Sequence, residues 1–397
     1  MKKCQHFGVC GGCDWQNLAY QDQLARKHAR LVELLASALG HRAPAVDAVI
    51  GMRVDVAGAP WAFRHKAAFV FGEATGQRGA TIGHFAAHSR RVVPIVECPV
   101  HADRANRLAF ALHEHLVRAH VPPAGARLRG VLRHLIVRTT RDEREAVAML
   151  VVTRNDKSLR TPIRAFLATE DAPDGFYLNI HDRPGPYMVG PETVRLGGRS
   201  HVRETVAGVS FLVSPTAFFQ TNVEAAERLV DLVLEATPPQ TDRVLDLYAG
   251  SGLYTLPLAK RGHDVIAVEE NASAVRDAET NIRLNRLSAA GVRVLATTVE
   301  AALARLQREP IRHVILDPPR SGCPPIVLRT LFGQMRPARV LYVSCNPEAL
   351  AGEVPAITQY GYRLARVQPV DMFPHTTHIE TFVVLDRERQ ASEPLRL

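Results

Sequence analysis

Seven short apolar runs in the second half of the chain restrict its architecture more than any other feature. They occupy 244–247, 265–268, 292–295, 314–316, 340–343, 364–370 and 381–385, and the stretches between them have helical or turn-forming character. Short runs of this kind, rich in Val, Leu and Ile, read as strands buried on both faces. Strand–helix–strand repetition then gives a parallel, doubly wound sheet. The expected fold class is therefore α/β, with a seven-stranded Rossmann-like sheet preceded by a helix over 223–236. The first half reads differently. β-type runs at 67–71, 135–139, 147–152, 176–180 and 209–213 alternate with Gly, Pro and Asp turns, and one helical stretch covers 104–120. That pattern predicts a mixed, mostly β unit. A further helix is expected from Trp15 to Leu39, with Leu24, Leu31, Leu34 and Leu35 on one face and Gly40 ending it. A chain of 397 residues exceeds one ordinary core. Two domains are expected, 1–213 and 214–397, with the helix 15–39 packing on the second, and a loose polar tail from Arg387 onward.

The formal charge of +9 and pI near 9.5 favour a polyanionic partner, nucleic acid first. Arg26, Lys27, Arg30, Arg64, Lys66, Arg90, Arg91, Arg127, Arg129, Arg133 and Arg138 crowd the first half. An arginine-rich composition on a solvated surface gives the same total. No apolar run approaches the roughly 18 residues of a membrane span, and Met1-Lys2-Lys3 leads into Cys4 rather than an apolar signal core. A soluble, cytoplasmic, monomeric protein is expected.

Chemistry-bearing residues fall at the ends of the apolar runs. Cys345 follows 340–344 and precedes Asn346-Pro347; Asp317-Pro318-Pro319-Arg320 follows 314–316; the segment from Asp371 to Glu380 leads into the last run. The carboxyl edge is where open α/β sheets bind ligands. By itself Cys345 would be an inert buried thiol, and Asp317 and Glu380 a turn cap and a surface charge. Together they supply one nucleophile, one acid and one base. Cys323, in a Pro-rich loop, is read as inert, and His375 and His378 as structural. Asp246 to Gly252 forms a glycine loop after the first run, and Glu269 lies 19 residues past Gly250, where an acid in such folds binds ribose hydroxyls. Thr255 stands in place of a third glycine, which points to a cofactor without a pyrophosphate; S-adenosylmethionine fits.

Cys4, Cys10 and Cys13 cluster in a glycine-rich stretch, and Cys98 can supply a fourth thiolate. Such clustering in a cytoplasmic protein favours metal over disulfide. Four thiolates suit zinc and a four-iron cluster equally.

These segments resemble the RNA uracil-C5-methyltransferase family, which makes 5-methyluridine, over nearly the whole chain. The resemblance lies in Phe63-Arg64-His65-Lys66, Phe218-Phe219-Gln220-Thr221-Asn222, the loop at Asp246, Asp317-Pro318-Pro319-Arg320-Ser321-Gly322, Tyr342-Val343-Ser344-Cys345-Asn346 and the segment 371–380. It implies a methyltransferase domain in which Cys345 is the nucleophile, Glu380 the general base, and Gln220, Tyr248, Glu269 and Asp317 contact S-adenosylmethionine. Ala349 and Leu253 depart from the family's usual threonine and asparagine. The cysteine spacing is similar to the branch that modifies 23S ribosomal RNA, which implies a 4Fe-4S cluster on Cys4, Cys10, Cys13 and Cys98. The amino-terminal β-barrel often found in that branch has no counterpart ahead of Cys4, so transfer RNA is the alternative substrate. Such chemistry needs an extruded base, for which Phe218 is the candidate stacking partner, with Phe219 assigned to core packing. Two rivals make other demands. An amino-group methyltransferase has no use for Cys345, and a non-catalytic RNA-binding protein forms no covalent adduct.

Overall fold

A computed structural model describes residues 4–74, 79–185, 188–239, 243–287 and 291–388. Two seven-stranded sheets organise the chain. The second carries the expected strands in the order Val292–Ala296, Asp264–Glu269, Arg243–Leu247, His313–Leu316, Arg339–Ser344, Glu380–Arg387, Tyr362–Val370. The order reverses direction beside Arg243–Leu247, the kind of position at which doubly wound sheets open a ligand crevice. One expectation is corrected. The sheet is not wholly parallel, because Glu380–Arg387 runs antiparallel to both its neighbours. The connection 371–379 is too short for a crossover helix, so the last strand returns as a hairpin arm.

The first sheet runs in the order Val92–Pro94, Ala80–Phe85, Lys66–Glu73, Leu132–Thr139, Ala146–Val152, Gly175–Ile180, Glu192–Gly198. Its pairings are antiparallel except that between Ala146–Val152 and Gly175–Ile180. Helix Asp103–Arg118 covers one face, burying Leu108, Leu112 and Leu116 against Phe69, Leu135 and Leu150. A separate hairpin, Val202–Val206 with Val209–Val213, turns through Ala207 and Gly208, both at positive φ, as a two-residue hairpin turn requires. The valines of this hairpin share a core with helix Val223–Ala236 and with Val244 and Leu341 of the second sheet.

Helix Tyr20–Leu39 also packs on the second sheet, with Leu31, Leu35 and Leu39 buried among Leu245, Phe332 and Leu350. Its Lys27 is fully buried and pairs at 2.5 Å with Asp371, at the mouth of the loop leading to Glu380. None of the helices among the described residues is long and apolar enough to cross a membrane. The polar tail expected from Arg387 onward is corrected at its start, since Arg387 ends the last strand and Glu388 N donates to Gly361 O at 2.8 Å; the remainder, past Glu388, lies outside the described residues.

Candidate active site and cysteine-lined cavity

Strand register assembles the site. Ser344, the last residue of its strand, pairs with Thr381, so Cys345 and Glu380 step out side by side at the sheet edge. Leu247 pairs with Leu316 and Leu316 with Tyr342, which carries Tyr248 and Asp317 to the same edge. Asn346 caps helix Pro347–Gln359, accepting at Oδ1 from Glu348 N at 3.1 Å and from Ala349 N at 3.4 Å. Its Nδ2 donates to Arg320 O at 2.9 Å, tying the cysteine turn to the double-proline turn. The thiol therefore sits just before a helix N-terminus, where the backbone dipole favours a thiolate.

Burial works the other way. It is the main reason Cys345, half-buried, is pushed up to about 11; the Glu380 and Asp317 carboxylates add to the shift and Arg320 opposes it. Glu380 is 3% exposed and held well above the ordinary carboxylate range, by burial and then by Asp317. Asp317 is raised to about 7 by burial and by Asp246. Asp246, fully buried, is itself raised to about 7 by burial and by Glu269, although the Thr255 hydroxyl donates to its Oδ2 at 2.5 Å. Three acids thus converge, and Arg320 offsets the charge felt by Glu380 and Cys345.

The glycine loop bears on what the site holds. Gly250 has φ +57° and a Cβ there would meet nothing within 4 Å, so the space over the loop is open. Glu269 accepts from Gly250 N at 2.9 Å and from Asn271 N at 2.7 Å, which fixes its carboxylate at the loop and leaves lone pairs for a further donor. Asp246 Oδ1 is buried with no hydrogen-bond partner. An unsatisfied carboxylate among raised acids suits a ligand bearing both positive charge and hydroxyls. S-adenosylmethionine has a sulfonium, an ammonium and a ribose, and the residues present fit it. Gln220 is buried and Tyr248, at φ +62°, half-buried. Phe218 is 65% exposed and joined through its carbonyl to Ser251 Oγ at 3.3 Å, while Phe219 is buried against Phe211.

Cys4, Cys10, Cys13 and Cys98 line one cavity of about 280 Å³, together with Arg64, His84 and His101. Burial pushes Cys13 up to about 11 and Cys98 up to about 12, and the neighbouring thiols add to both shifts. Four converging sulfurs that repel one another as anions fit a cationic centre. Cys323 is buried away from them, its backbone N–H donating to Glu353.

Several residues lie elsewhere than the sequence alone suggested. Lys27, Arg133 and Arg138 are buried and internally bonded: Arg133 donates to His181 O and Arg183 O, and Arg138 to Ala217 O. None of the three presents its cationic head to a partner at the surface, whereas Arg90, Arg91, Arg127 and Arg129 are exposed. His375 is buried, but His378 is exposed, with only its ring edge on Phe373. Asp246 joins the acids of the site beyond those the resemblance implies; an acid near the end of a buried strand before a glycine turn is the sequence signal for it. His84 and His101 also line the cysteine cavity, and Cys98-x-x-His101 has the spacing of a chelating turn.

The sequence pattern of the tRNA (Uracil-5-)-methyltransferase family matches residues 203–388. An uncharacterized RNA methyltransferase of Gloeobacter violaceus is 36% identical over 95% of this chain and 81% of its own length. Another, of Caldanaerobacter subterraneus subsp. tengcongensis, is 31% identical over 97% and 84%. Among solved structures, the tRNA (uracil-54, C5)-methyltransferase of Pyrococcus abyssi, in complex with S-adenosyl-L-homocysteine, aligns with TM-score 0.78 at 26% identity, covering 95% of this chain and 86% of that one.

Proposed function

Because the chain belongs to the RNA uracil-C5-methyltransferase family, we propose that it methylates carbon 5 of a specific uridine in 23S ribosomal RNA through a covalent cysteine adduct. The observation that carries this reading is the register that sets Cys345 beside Glu380 at the sheet edge. Carbon 5 of uracil is a weak nucleophile. Thiolate addition from Cys345 at carbon 6 moves an electron pair through the ring and makes carbon 5 nucleophilic. S-adenosylmethionine, when bound, supplies an electrophilic methyl group on a sulfonium and a compensating positive charge. Glu380 then takes the proton from carbon 5, the carbon 5–carbon 6 double bond re-forms, and the Cys345 thiolate leaves. A base with a raised pKa both accepts that proton and returns it to solvent near neutrality. Asp246, Asp317, Glu269, Tyr248 and Gln220 hold the methyl donor. Phe218, exposed beside the glycine loop, stacks on the extruded base or its neighbour.

Cys4, Cys10, Cys13 and Cys98 would hold a 4Fe-4S cluster that ties the first residues of the chain to the Cys98 turn, in a structural or RNA-positioning role. The amino-terminal sheet, with the exposed Arg90, Arg91, Arg127 and Arg129, serves as the RNA-gripping domain ahead of the methyltransferase domain. Transfer RNA is the second reading, favoured by the Pyrococcus abyssi structure over 95% of this chain. Nucleoside analysis of a deletion strain separates the two. Loss of one 5-methyluridine from large-subunit RNA supports the first reading. Loss from transfer RNA supports the second, and unchanged 5-methyluridine in both contradicts the function.

A further inference from the structure

The cysteine cavity contains a second donor set. One ring nitrogen each of His84 and His101 and the sulfur of Cys98 lie within 4.8 Å of one another. Cys10 Sγ is 3.5 Å from His84 Nδ1 and faces the same cavity. The three donors His84, Cys98 and His101 need a contraction of roughly 1 Å to reach tetrahedral zinc distances, where neighbouring donors sit about 3.5 Å apart, and Cys10 approaches them from the His84 side.

Three features mark these groups as more than incidental neighbours. His101 is 2% exposed, and its Nδ1 is buried with no hydrogen-bond partner; His84 Nε2 is likewise buried and unpartnered. Native structures seldom leave such atoms unsatisfied without a ligand or a water. Backbone N–H groups of Val100 and His101 point at Cys98 Sγ, and that of Gly12 at Cys10 Sγ. Burial still holds both thiols above their ordinary value, and these N–H groups favour the thiolate form once a cation is bound. The two histidines are also held rigidly, in edge contact with each other at 5.1 Å between ring centroids and packed around Phe69. Imidazole and thiolate together select zinc-like borderline ions over magnesium or calcium.

We propose that Cys10, His84, Cys98 and His101 form a binding site for a divalent transition metal, filled in place of the four-cysteine cluster. Binding displaces the Cys10 and Cys98 protons to solvent and uses one lone pair from each neutral imidazole. Cys4 and Cys13 take no part. The two occupancies exclude each other because they share Cys10 and Cys98, so the protein has a cluster-free, metal-holding state.

The test uses full-length protein, stripped of metal under anaerobic conditions, and Co²⁺ as the probe, read by its tetrahedral ligand-field and sulfur-to-cobalt bands. One Co²⁺ per chain is expected. His84→Ala and His101→Ala should each weaken binding at least about tenfold, while Cys4→Ser and Cys13→Ser stay within about threefold of wild type. His101→Cys, which keeps a donor, should retain binding with stronger sulfur bands, and this guards against a histidine variant that merely loosens the fold. Co²⁺ binding indifferent to both histidines, or abolished by Cys4→Ser and Cys13→Ser, overturns the site. Reconstitution of the same proteins with iron and sulfide separates the two readings. A wild type that takes up no iron removes the cluster and leaves the divalent site standing. Iron uptake combined with histidine-independent Co²⁺ binding does the reverse.

Discussion

At the scale of single residues, the site is defined by a thiol and three acids that burial holds away from their ordinary ionisation. Cys345 in the donor-free protein is pushed up to about 11. Its alkylation by iodoacetamide, followed by peptide mass spectrometry, should therefore be slow at pH 7 and rise about tenfold per pH unit towards that value. Glu380→Gln removes one of the charges that oppose the thiolate and should shift the profile to lower pH; an unshifted profile would mean that the two groups do not interact. Asp246 and Asp317 make a second prediction. Each is raised from 3.8 to about 7, so the folded chain binds protons that the unfolded chain has lost. The sign follows: stability in the absence of methyl donor is greatest below about pH 4 as far as these groups are concerned, and falls as pH rises towards 7. Asp246→Asn with Asp317→Asn should flatten that fall in a thermal-melt series. S-adenosylmethionine should raise the melting temperature more at pH 8 than at pH 5.

At the scale of elements, the loop 371–378 is clamped from several sides before it presents Glu380. Lys27 and Asp371 form an ion pair with both side chains at 0% exposure. Lys27→Ala would strand a buried carboxylate and is expected to cost about 3–5 kcal/mol in denaturant unfolding. A loss under about 1 kcal/mol would show that water reaches the pair. His375 is held in the left-handed region at φ +65°. Its carbonyl accepts from Asp14 N and Trp15 N, its N–H donates to Gln23 Oε1, its ring bonds Gln23 and Pro60, and it stacks on Trp61 at 4.4 Å. Asp14 directly follows Cys13, so the cysteine loop is bonded to the segment that aims the base. His375→Ala is expected to lower kcat at least about tenfold with KM for RNA little changed, and to accumulate the covalent RNA adduct, since proton removal is the step that depends on aim. A raised KM without adduct accumulation would assign His375 to RNA binding instead.

At the scale of the whole molecule, much of the second half was legible because buried parallel strands leave continuous apolar runs, and strand ends alone position Cys345, Asp317 and Tyr248. The direction of the last strand was not legible; it depends on the connection 371–379, whose pattern resembles a loop in either topology. The first half was read less completely. Glu192–Gly198 is exposed along most of its length, and Val202–Val206 puts Glu204 between its two valines on the buried face with Arg203 and Thr205 on the other, so neither makes an apolar run. Charge misled at Lys27, Arg133 and Arg138, because a sequence does not tell a cation that meets phosphate from one that bonds internal carbonyls. His84 was hidden for a related reason: it meets Cys10 and the Cys98–His101 turn through isolated bridges beside the first sheet, Cys10 with Ala86 and Arg64 with His101, that no sequence spacing reveals. Membership of the RNA uracil-C5-methyltransferase family fixes the class of reaction, and within it the account rests on reversible addition of Cys345 to uracil. The most direct test incubates the protein with S-adenosylmethionine and substrate RNA, and counts RNA–protein adducts that survive denaturation. The account predicts few for wild type on uridine RNA, abundant methylated adduct for Glu380→Gln, abundant adduct for wild type on 5-fluorouridine RNA, and none for Cys345→Ser on either. Adduct formation by Cys345→Ser, or methyl transfer by it at the wild-type rate, would contradict the account.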